Sequence, residues 1–129
     1  MDSVMQWLFF AMAVLNPITI PTADEKLMVY RAMGETRGEG FESVVAVVGT
    51  MLCRKEQGYG STEQVLAAYY AKDFVVSDEI VSDVMRESKC QGYKYALSHN
   101  DIEYLKIPSN APRVCYGDTC LFEAWHDGR

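Results

Sequence analysis

Between residues 44 and 52 the apolar side chains recur at i, i+3, i+4, i+7 and i+8: Val44, Val47, Val48, Met51 and Leu52. This is the stripe of a helix buried along one face, and it predicts a helix over about 41–55. Val45, Ala46 and Gly49 widen the apolar surface. The helix is therefore expected to be central and touched on several sides, with Gly49 admitting another backbone. Upstream, Thr22-Ala-Asp-Glu25 has the form of a capping box and predicts a helix from about Ala23 to Gly34. Gly34, Gly38 and Gly40 then predict a sharp turn. A second capping box, Ser61-Thr-Glu-Gln64, opens a helix expected to run through about Ala71. Another is expected over Ser77 to Lys89, with Ile80, Val81, Val84 and Met85 facing inward. After Gly92 the helical period is lost. Runs rich in Tyr, Ser, Asn, Pro and Gly predict loops, with His99-Asn100-Asp101 in one of them, and one or two short strands. Val114 to Cys120 reads as a hairpin turning at Gly117-Asp118, continued by Leu121 to Trp125. The pattern as a whole predicts a mostly helical α+β domain with a small β element near the C-terminus.

A chain of 129 residues suits one such domain and is too short for two. Its 12 Lys and Arg against 18 Asp and Glu give a net charge of −6. Phosphate contacts need cations and no basic tract is present, so nucleic acid is set aside as a partner. The apolar run from Val4 to Leu15 has an uninterrupted part of nine residues, Trp7 to Leu15. A spanning helix needs about 20. The length suits a signal-peptide core, but Asp2 replaces the usual basic start and Pro21 stands where a small residue is wanted. Two readings stay open for residues 1–22: a leader or anchor that would associate the chain with a membrane, or a hydrophobic N-terminal helix packed on the domain. Residues 23–129 are expected to form the domain itself.

The four cysteines, Cys53, Cys90, Cys115 and Cys120, lack C-x-x-C spacing and do not suggest zinc or a thioredoxin motif. Three pairings are open, as are four free thiols in a reducing compartment. The preferred pairing is Cys115–Cys120 across the hairpin turn, with Cys53–Cys90 joining two helices. His99 and His126 have no paired ligand spacing, so no metal and no cofactor is expected.

The densest chemical cluster is Arg31 to Gly40. Met28, Ala32 and Glu35 fall at i, i+4 and i+7, which sets Glu35 on a face with apolar neighbours. A poorly solvated carboxyl favours its neutral form, and a carboxylic acid protonated near neutral pH can donate to a leaving-group oxygen. A plain surface pair with Arg31, one turn back, is the competing reading.

Gly34-Glu35-Thr36-Arg37-Gly38-Glu39 and the following stretch Gly40-Phe-Glu-Ser-Val-Val-Ala-Val-Val-Gly-Thr-Met-Leu-Cys-Arg54 resemble the SleB/CwlJ-type cell wall hydrolases, the spore cortex-lytic enzymes and their relatives. Looser similarities follow in the same order: Ser61 to Phe74, Ala96-Leu-Ser-His-Asn100 and Tyr116-Gly-Asp-Thr-Cys-Leu-Phe122. A divergent, phage-encoded member would look like this. The resemblance implies a lysozyme-like fold, peptidoglycan as substrate and partner, and Glu35 as the catalytic acid. It further implies substrate contacts from Arg37, Glu39, Ser98, His99 and Asn100, to which Tyr95 adds a ring suited to stacking on a sugar. Cys53 stands where the family has Asn, and Thr119 near where it has His.

Glycan cleavage requires proton donation to the glycosidic oxygen and stabilisation of an oxocarbenium-like centre. Glu39, Asp101 and Asp118 are the carboxylates that could partner Glu35, and no spacing singles one out. A lytic transglycosylase needs no second carboxylate, because the muramic acid 6-hydroxyl attacks internally. The expected function is therefore a single-Glu transglycosylase or muramidase, secreted, periplasmic or virion-associated. Glu42-Ser43 is a rival for the catalytic pair. A second class of reading is a non-catalytic glycan-binding or virion structural module, motivated by the replaced Asn and His and by the acidic charge.

Overall fold

The computed structural model describes residues 20–36, 39–69 and 75–128. Residues 1–19, Arg37, Gly38, residues 70–74 and Arg129 lie outside the described residues, as do the expectations made for them. The elements run α1 (Ala23–Thr36), α2 (Phe41–Glu56), α3 (Thr62–Leu66), α4 (Asp78–Glu87), β1 (Tyr95–Ser98), α5 (His99–Tyr104), β2 (Val114–Tyr116) and β3 (Thr119–Phe122). The chain is thus a mostly helical α+β fold with a small antiparallel sheet near its C-terminus. Among the described residues no helix is long and apolar enough to cross a membrane.

Helix α2 is the axis of the molecule, as its stripe requires. Val44, Val47, Val48 and Met51 are buried, and the helix touches α1, α3, α4 and all three strands. Met28, Val29 and Ala32 of α1, Val65, Leu66 and Tyr69 around α3, and Val81 and Val84 of α4 complete this core. The outward side of α2 meets backbone at Gly49: a Cβ there would stand 2.8 Å from the Lys89 carbonyl oxygen. Since that atom is main chain just before the Cys53–Cys90 bridge, it cannot swing away. Gly49→Ala is expected to destabilise the fold by about 1–3 kcal/mol despite the better helix propensity of Ala. A thermal melt checks this, and an unchanged midpoint would mean that the chain after α4 yields easily at this contact.

The sheet has the order β1-β3-β2, with both pairings antiparallel. All four residues of β3 are buried. Leu105, Ile107, Ala111, Cys120 and Phe122 form a second, smaller core at the sheet. β2 and β3 make the expected hairpin, with Gly117 at φ +58° in its turn. Cys115 and Cys120 face each other in register and are bonded, and Cys53 is bonded to Cys90.

Several expectations need correction. Helix α1 continues through a buried Gly34 to Thr36, so the turn begins two residues later. Helix α3 stops at Leu66 instead of reaching Ala71. The Ala68 and Tyr69 amides donate to carbonyls three residues back, a tightened turn that carries the Tyr69 ring into the core. Ile80 is 44% exposed, because α4 rests on the core through Val81 and Val84. Cys90 lies beyond the end of α4, in non-helical chain. The strand expected from Leu121 to Trp125 ends at Phe122. His99-Asn100-Asp101 is helical, not a loop: Ser98 Oγ accepts from the Asp101 amide and caps α5.

Candidate functional site

Glu35 sits in the last turn of α1, one turn beyond the buried Met28–Ala32 stripe, and is half-buried. It lines a cavity of about 420 Å³. Gly34, Thr36 and Glu39 share that wall, and Ala68 borders it from the turn after α3. Ser98, Asn100 and Asp101 come from the start of α5, and Asp118 and Thr119 from the hairpin. Residues more than 60 positions apart in sequence thus face one cleft between the helical layer and the sheet.

The hairpin is held in place by Glu39. Its carboxylate accepts from the Asp118 amide at 2.8 Å and from Thr119 Oγ1 at 3.3 Å. Its own amide donates to the Thr36 carbonyl at 3.2 Å. A Cβ at position 117 would come within 3.2 Å of Glu39 Oε2, so glycine serves there for space as well as for its positive φ. Ser43 Oγ donates to the Tyr116 carbonyl at 3.3 Å and ties the same hairpin to α2. With Ser43 so engaged and buried, and Glu42 lining a separate groove beside α4, the pair Glu42-Ser43 lies outside the Glu35 cleft.

Of the residues expected to contact substrate, Glu39, Ser98 and Asn100 line the cavity with Glu35. Arg37 lies outside the described residues. His99 stands at the rim, exposed and not lining it. Its Nδ1 is 2.8 Å from Asp118 Oδ1, and its amide donates to the Asp118 carbonyl at 3.1 Å. Tyr95 is elsewhere, under the Arg54 guanidinium, 4.8 Å from it to the ring centroid. Strand alternation explains the separation: Tyr95 and Leu97 pack toward the smaller core, while Ser98 points to the cleft side. Asp101 and Asp118, the distant carboxylates considered as partners, are both in the cavity. Thr119, noted in the sequence only as standing near where the resembled family has His, also lines the cleft.

Between α2 and the turn after α3 lies a buried polar pair. Thr50 Oγ1 donates to the Val47 carbonyl and sits 2.7 Å from the Tyr69 hydroxyl. Burial pushes the Tyr69 phenol above its usual value of 10.0. The negative charge of Glu35 adds to this, while Thr50 and Arg54 pull the other way. A folded-state value above the unfolded one makes this contribution to stability complete below about pH 10. It is lost as pH rises through the folded value. Burial raises the Tyr95 phenol as well, so ultraviolet titration of tyrosinate should show more than one phenol resisting ionisation past pH 10, with one fewer in Tyr69→Phe. Full, simultaneous ionisation of all tyrosines without unfolding would contradict it.

Among the described residues no group of three or more His, Cys, Asp or Glu side chains is placed to hold a metal ion. What the cleft assembles is a half-buried glutamate on a helix end, facing a wall of hydroxyl, amide and carboxylate groups. Such an arrangement can deliver a proton at one face of a polar ligand and hydrogen-bond the other. Comparison with protein-family models, curated proteins and solved structures found no match for the chain.

Proposed function

We propose that this protein cleaves the glycan strands of peptidoglycan, with Glu35 as general acid and then general base. The observation that carries the reading is the convergence of Glu35 with Ser98, Asn100, Asp101, Asp118 and Thr119 on one cavity, in the order of segments that resembles the cell wall hydrolases. In this scheme the Glu35 carboxyl gives its proton to the glycosidic oxygen as the bond from the sugar C1 breaks. The carboxylate so formed takes a proton from the incoming nucleophile, either the muramic acid 6-hydroxyl or a water. Asp118, held by His99, and Asp101 would stabilise the positive C1 centre. Two disulfides support a working place outside a reducing cytosol, secreted, periplasmic or virion-associated.

Digestion of purified insoluble murein, followed by mass spectrometry of the released fragments, tests this directly. Anhydro-muropeptides identify internal attack, and reducing ends identify water. Binding to murein with no soluble product would reject cleavage and favour the non-catalytic glycan-binding module on the same fold. For that reading the specific observation is Thr119, which replaces a family His and is committed to Glu39.

A further inference from the structure

Apart from the cavity that Glu35 lines, Arg54 gathers the rings of Tyr59, Tyr95 and the buried Tyr69, and Trp125 extends the stack beyond Tyr95. The Arg54 guanidinium carbon lies 4.8 Å from the Tyr95 ring centroid and 5.5 Å from that of Tyr59. Arg54 Nε donates to the Lys94 carbonyl at 2.6 Å, which fixes the cation among the rings. The Trp125 ring follows at 5.5 Å from Tyr95, tilted by 58°. Trp125 is 50% and Tyr59 43% exposed, so both ends of the stack present large rings to solvent.

Neither exposed ring hangs on a free tail. Trp125 lies between Phe122, which is buried in β3, and Gly128, whose amide donates to the Leu105 carbonyl at 2.9 Å. His126 packs on Phe122 with 6.1 Å between centroids. The Tyr59 amide donates to the Arg54 carbonyl at 3.1 Å, and Gly58 and Gly60 at φ +77° and +119° bend the chain around it. Aromatic surface that is exposed yet already ordered loses little conformational freedom on binding. Rings with polar tips, stiffened by a cation, suit a ligand that is flat and apolar on its faces and polar at its edges. Pyranose rings have that form.

We propose that Trp125 and Tyr59, held in place by Tyr95 and Arg54, are a glycan-binding platform distinct from the Glu35 cleft, taking the faces of N-acetylated hexosamines. This rests on the glycan reading of the cleft only for the identity of the polymer. Strand β1 joins the two places through the backbone, with Tyr95 at its start beside the platform and Ser98 at its end in the cleft, the two side chains leaving opposite faces of the sheet.

The test uses the full chain with Trp7→Phe, which leaves Trp125 as the only tryptophan. Titration with the soluble tetramer of N-acetylglucosamine should give a saturable change in Trp125 fluorescence. In co-sedimentation with insoluble murein, Trp125→Ala and Tyr59→Ala should each weaken binding about tenfold. Trp125→Phe, which keeps a ring, should recover most of it, and unchanged thermal melts would show that the fold is kept. A silent Trp125 at saturating tetramer, or murein binding unaffected in both alanine variants, overturns the platform and leaves the stack a structural device or a protein-binding face. Neither readout needs turnover. Lysis that survives Glu35→Gln would defeat the cleft assignment alone, and Glu35-dependent lysis with a silent Trp125 would defeat the platform alone.

Discussion

Glu35→Gln is expected to lower murein cleavage by about two to four orders of magnitude, the range over which a positioned acid–base group acts, with the fold unchanged. Gln matches Glu in size and keeps hydrogen bonds, but it has no acidic proton to give the leaving oxygen and cannot accept one afterwards. The other carboxylates of the cleft are poorly placed to substitute. Glu39 spends both oxygens on the hairpin, and Asp118 is held against His99. Asp101 stands at the start of α5 and is exposed. The informative companion is therefore Asp101→Asn. With a single-acid mechanism it should cost about tenfold or less, and with a two-carboxylate mechanism it should approach the loss in Glu35→Gln. Release of soluble fragments from murein measures both, with a thermal melt as control for folding. Retention of more than a tenth of the activity in Glu35→Gln would remove Glu35 from the acid's role.

The parts of the fold written in local chemistry are legible in the amino-acid sequence. The α2 stripe, the two capping boxes and the Gly117-Asp118 hairpin each depend on residues within eight positions of one another. Gly49 is legible for the same reason: a glycine on an otherwise apolar helix face marks a close backbone. The segments whose local pattern misleads are settled by distant partners. Helix α3 ends early because the Tyr69 ring finds Thr50, 19 residues away. Ile80 is exposed because α4 is narrowly seated on α1 and α2, which its own pattern does not record. Helix α5 does carry a signal, Ser98 followed by Asp101 and Ile102, obscured by the polar run His-Asn-Asp. The site divides in the same way. Glu35 stands out from one helix, whereas the bracing of Asp118 and Thr119 by Glu39 spans about 80 residues. Tyr95 stands out as an aromatic ring, but its side of the sheet depends on the register in which β1 pairs with β3, more than 20 residues away.

Replacing Cys53 and Cys90 by Ala is expected to cost about 3–4 kcal/mol, well above the loss from the corresponding change at Cys115 and Cys120. The two bridges close loops of very different length, with sequence separations of 37 and 5. Loop-closure entropy then gives roughly 3.8 kcal/mol for the first and roughly 2 kcal/mol for the second. Packing widens the gap. Cys53 is fully buried in α2, and its bridge holds the chain after α4 where the Lys89 carbonyl meets Gly49. Losing it loosens the chain after α4 as well as relaxing the unfolded chain. The hairpin bridge has an exposed Cys115 and a buried Cys120, and β2 and β3 remain paired and tied to Glu39 and Ser43 without it. Its loss should act on the hairpin wall of the cleft more than on global stability. Thermal midpoints should therefore fall by on the order of 10 °C for the Cys53/Cys90 variant and by clearly less for the Cys115/Cys120 variant. Mild reduction should open the exposed Cys115–Cys120 bridge first, because an attacking thiolate can reach Cys115 without unfolding. A Cys115/Cys120 variant less stable than the Cys53/Cys90 variant would mean that the hairpin, and not the α2–α4 junction, limits the stability of this fold.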